Sequence, residues 1–85
     1  MIDAAQMRAG RALLGWSQGD LGEKSGVSLP TIKRMESVGP GRSAGNTVAA
    51  VQKALEDAGV QFIPENGGGV GVRLKAPGSR GEEKP

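Results

Sequence analysis

The chain has 85 residues, 36 % of them apolar and only Trp16 and Phe62 aromatic, which suits one small domain with a lean core. Cysteine, histidine and tyrosine are all absent, so disulfides, thiolate nucleophiles, imidazole bases and most transition-metal sites are excluded, and neither an enzyme nor a cofactor is expected. The formal net charge of +2 says little by itself, and no apolar run approaches the ~18 residues of a membrane span.

Residues 3 to 14 read as a first helix. Asp3 caps it with Gln6 three positions on, Met7 and Leu14 lie two turns apart on one face, and Gly15 stops it. Trp16 falls in the corner that follows. Ser17 opens a second, short helix with Asp20 in its first turn, and Gly26 supplies the left-handed residue that ends it. Ser28 caps a third helix, expected over 28–36, in which Pro30 is tolerated because first-turn amides have no intrahelical partner. Ile32 and Met35 form its inward face.

The stretch SVGPGRSAGN, 37–46, reads as a loop, after which Asn46 is the expected cap of a fourth helix from Thr47 to Ala58. Val48, Val51 and Leu55 make its apolar stripe, and Gly59 ends it. Two strands are expected next, 60–63 and 70–75, around the glycine-rich loop 64–69. The stretch 76–85 has no apolar pattern and is expected to be disordered. The N-terminal MIDAAQMRAG lacks the basic-then-apolar pattern of a secretion signal, so the cytoplasm is the expected compartment.

Two short helices joined by a tight glycine turn, the second capped by serine, form a helix-turn-helix plan. Gly22 is small where the two must approach closely. Leu21, Val27, Ile32 and Met35 form the apolar wedge, which leaves Ser28, Leu29, Pro30, Thr31, Lys33 and Arg34 to face outward. Lys33 and Arg34 lie close in sequence to Arg42, with Glu36 the sole acid between them. On the outward side of such a helix, that cluster points to nucleic acid. GGGVGV lacks the spacing, lysine and following helix of a phosphate loop.

At these residues the chain resembles the phage-repressor/Cro-type (XRE-type) helix-turn-helix proteins. The resemblance covers roughly residues 3 to 58 and is most specific over Gln18 to Ser37, QGDLGEKSGVSLPTIKRMES. It implies a mainly α, compact four-helix domain of the lambda-repressor-like type, whose third helix enters the DNA major groove. It also implies backbone contacts from Gln18 and Ser28, base contacts from Leu29, Pro30, Thr31 and Arg34, and a Lys33 shared between bases and phosphate. Arg11 and Glu36 match a pair that bridges helix one to the end of helix three. The chain departs from the family in placing Leu29 and Pro30 where glutamine or asparagine is usual, and apparent strands where a fifth helix is usual.

The function this implies is a sequence-specific double-stranded DNA-binding regulator, a small repressor, with Arg42 a further phosphate contact and Arg34 aimed at guanine. The alternative is an antitoxin or anti-regulator that holds a partner protein through the hairpin and charged tail. The expected organisation is a DNA-binding domain over 1–59, a dimerising strand pair over 60–75 and a tail. The face of Val60, Phe62, Val70, Val72 and Leu74 is the expected homodimer contact, presenting two third helices ~34–36 Å apart to a pseudo-palindromic operator. Packing of that face on helix four is the competing expectation.

Overall fold

A computed structural model describes residues 2–75. In chain order they form α1 (Ala4–Leu14), α2 (Gln18–Ser25), α3 (Leu29–Val38), a single 3-10 turn (Pro40–Arg42), α4 (Gly45–Asp57), β1 (Val60–Ile63) and β2 (Gly71–Leu74). The molecule is thus mainly helical with a short antiparallel hairpin. None of the described helices is long and apolar enough to cross a membrane.

Local signals account for most helix ends. Asp3 and Gln6 close a reciprocal capping box on α1, with the Gln6 amide donating to Asp3 Oδ1 at 2.8 Å and the Asp3 amide to Gln6 Oε1 at 2.9 Å. Ser17 and Asp20 repeat it on α2, both bonds being 2.9 Å. Gly15 and Gly26 end those helices at φ of 70° and 75°, where a side chain would strain the backbone.

Several boundaries differ from the sequence reading, and α4 and β2 each stop one residue early, at Asp57 and Leu74. The third helix runs two residues past Glu36 to Val38, because nothing before Gly39 breaks it. The fourth begins at Gly45, with Ala44 and not Asn46 at its cap. The Thr47 and Val48 amides both donate to the Ala44 carbonyl, which starts the helix ahead of Asn46 and leaves its first turn without a side-chain cap. The second strand begins at Gly71, so Val70 lies just outside it. The expected disordered segment, 76–85, lies outside the described residues.

One core joins all these elements: Ile2, Met7, Leu21, Ile32, Met35, Val48, Val51, Leu55 and Val60, with Leu14, Trp16, Val27, Phe62 and Val72 packed against it. The hairpin is part of this core. In its register Val60 faces Leu74 and Phe62 faces Val72, so those four side chains share one side of the sheet. That side lies on the chain's own helices, and Val60 is completely enclosed. Val60 is therefore no contact for a second copy, and the packing alternative accounts for most of this face. Val70 and Leu74 stay exposed, at 46 % and 36 %.

Gln6 fastens the hairpin to α1. Its side-chain amide donates to the Gly71 carbonyl at 3.0 Å and to the Ile63 carbonyl at 3.4 Å, so a single capping residue also holds both strands. The glycine-rich loop is organised by Glu65, whose carboxylate accepts from the Gly67 and Gly69 amides.

Candidate functional site

Three residues, Gly26 to Ser28, separate α2 from α3. The Gly26 and Val27 amides both donate to the Gly22 carbonyl, which folds the chain back on itself. A Cβ on Gly22 would stand 2.9 Å from the Val27 carbonyl oxygen, so only glycine lets the turn close this tightly. Ser28 caps α3 by accepting from the Thr31 amide, and its hydroxyl donates to Thr31 Oγ1 at 2.9 Å. Pro30 sits in the first turn, where it removes no helical bond.

The 3.6-residue period then divides α3 into two faces. Ile32, Met35 and Glu36 turn inward and are buried. Leu29, Pro30, Lys33 and Arg34 are exposed, and Thr31 is half-buried beside them. Arg42, on the 3-10 turn that follows, is exposed too. Between Ser28 and Ala44 the outward charges are Lys33, Arg34 and Arg42, and the only acid, Glu36, is 3 % exposed. This surface is cationic.

Glu36 is neutralised where it lies. Arg11 grips it with two bonds, Nε to Oε2 at 2.7 Å and the second guanidinium nitrogen to Oε1 at 2.8 Å. Hydrogen bonding to Glu36 raises the Arg11 pKa above its ordinary value, against the opposing pull of partial burial. Arg11 also donates to the Trp16 carbonyl at 3.0 Å, and so ties α1, the corner and the end of α3 together.

The Gln18 side-chain amide donates to Glu36 Oε1 at 3.1 Å, which orients it at the mouth of α2 with one amide proton still free. Arg8 donates to the Glu36 carbonyl, a second clasp between α1 and α3 that no local signal in the sequence announces across 28 positions. Trp16 stays in its corner, half-buried, with Lys24 Nζ 6.0 Å from the ring centre.

The structure thus brings the Leu29, Pro30, Thr31, Lys33 and Arg34 set onto one outward face with Arg42 beyond it. It sets Ser28 at the helix start with its hydroxyl engaged, and Gln18 to the side. Val38, 70 % exposed, lies in the stretch whose glycines and proline mark a loop in sequence; its i+7 spacing from Thr31 continues the same flank. Neither a protein-family model nor a curated protein matches the chain in sequence.

Proposed function

We propose that this chain is a helix-turn-helix DNA-binding protein, a sequence-specific regulator that lays α3 in the major groove of double-stranded DNA and acts as a small repressor. The observation that carries this reading is the outward face of α3. Leu29, Pro30, Lys33 and Arg34 are exposed on it, its charges are cations, and the one carboxylate of α3 is buried with Arg11. Lys33 and Arg42, with the free amide proton of Gln18, supply phosphate contacts that set register; Arg34 and Thr31 reach base edges.

The dimer belongs to the same proposal, with its contact narrowed to what the fold leaves exposed. Leu13, Val70 and Leu74 are three of the five exposed large apolar side chains among the described residues. Val70 lines a groove of about 150 Å³ between α1 and β2 with Ala5, Ala9 and Val72, while Leu13 and Leu74 share a second hollow with Leu14 and Gly59. Both strands of the hairpin have a free edge among the described residues, and a second copy would cover groove and edge together.

A gel shift of the full chain against a random-sequence duplex pool, repeated over a salt series, tests the reading. Enriched sequences whose affinity falls steeply with salt support it. A folded protein that retains no duplex, but captures a protein partner, would replace it with the antitoxin reading.

A further inference from the structure

The outward face of α3 carries hydrogen-bond donors and apolar groups but no exposed carboxylate or amide acceptor. Arg34 and Lys33 only donate. The Ser28 hydroxyl is engaged at both ends, accepting from the Thr31 amide and donating to Thr31 Oγ1. The Thr31 hydroxyl proton has no other acceptor among the described residues and can be given outward. Glu36, which would be an acceptor, is buried with Arg11. Pro30 has no backbone amide, and Leu29 is 39 % exposed at the helix tip, a large apolar group held in solvent at the place nearest an incoming partner.

Building on the DNA-binding reading above, we infer that this surface selects base acceptors and thymine methyl groups, so that each half-site is a G·C pair beside a T·A pair. The major-groove edge of guanine offers two acceptors, N7 and O6, that match the two-pronged Arg34 guanidinium. Pro30 lies one helical turn before Arg34 on the same face, with Leu29 next to it, so the pair adjacent to that guanine meets an apolar surface. Thymine presents a methyl group there, and its O4 takes the Thr31 proton. The amino groups of adenine and cytosine are read best by an amide or carboxylate oxygen, and this face exposes neither, so neither base is favoured.

The test uses the full chain and the duplex selected from a random pool. The consensus should hold guanine next to thymine on one strand. Replacing that guanine by 7-deazaguanine, which lacks N7, should weaken binding roughly tenfold, as loss of one prong of a bidentate contact. Replacing the thymine by deoxyuridine removes its methyl and should cost about fourfold, close to the worth of one buried methyl group. Thr31→Asn adds an acceptor and should move the preference at the thymine position toward adenine while the guanine position stays. A selected site indifferent to both base analogues overturns this inference and leaves DNA binding standing. A folded chain that selects no sequence overturns the DNA-binding reading itself.

Discussion

Gly10 and Gly22 are both buried glycines within helices, yet a single added methyl has opposite consequences at the two. At Gly10 it would touch Leu55 and Val60 at 3.5–3.6 Å, an ordinary contact that fills the α1–α4 seam. Alanine also costs ~0.5–1 kcal/mol less than glycine inside a helix, so Gly10→Ala should raise the melting temperature. At Gly22 the methyl meets the Val27 carbonyl oxygen at 2.9 Å, so the turn must open. Gly22→Ala should lower the melting temperature, and a rise would show that the turn yields without cost.

Arg11→Ala leaves the buried Glu36 carboxylate with only the Gln18 amide on its oxygens. Breaking a buried pair costs ~3–5 kcal/mol, and since Arg11 keeps 19 % of its side chain exposed the loss should lie at the low end. Thermal denaturation checks it; unchanged melting with lost DNA binding would make Arg11 a phosphate contact instead. Arg34→Ala should relax base preference at one operator position by ~1–3 kcal/mol, whereas Lys33→Ala should weaken all sequences alike and reduce the salt slope by about one. Binding isotherms on matched and mismatched duplexes separate the two effects.

Among the elements, α4 is the helix whose start has no side-chain support. Ala44 already has the extended backbone of a cap, φ −61° and ψ 146°, but no oxygen to offer. Ala44→Asp should therefore stabilise the fold by ~1 kcal/mol through a cap bond and the favourable charge at the helix start. A denaturant titration reads this as a raised midpoint with unchanged slope. The asymmetry with α1, α2 and α3, each capped by Asp3, Ser17 or Ser28, has a plain origin. Those caps stand beside their first turn in sequence, while α4 begins where the 3-10 turn delivers the chain, ahead of the asparagine that would have capped it.

At the scale of the molecule, the hairpin both completes the core and borders the proposed dimer contact. A chain ending at Gly59 would lose Val60, whose full burial is worth ~1.5–3 kcal/mol, and would uncover Leu55 beside it, so truncation tests folding before it tests association. Val70→Glu with Leu74→Glu is the cleaner probe, because both side chains keep a large share of their surface in solvent and neither belongs to the buried core. Light scattering should find the wild type dimeric and the double variant monomeric with near-normal melting. A variant that dimerises as well as the wild type would place the interface elsewhere.

The amino-acid sequence alone determined the four helices, the strand pair and nearly every cap and stop. Those signals act within three or four residues: Asp3 on Gln6, Ser17 on Asp20, Ser28 on Thr31, Gly15 and Gly26 at the positive-φ ends. The outward set on α3 was legible for the same reason, since a 3.6-residue period with Ile32 and Met35 inside leaves few choices for Lys33 and Arg34. Only the tertiary structure decided where the hairpin's apolar face goes. That depends on Gln6 reaching Gly71 across 65 positions and on Val60 filling space beside Leu55. It also decided that Arg8 closes on the end of α3. Side-chain bonds of this kind are set by distance in space, and neighbouring letters carry no trace of them.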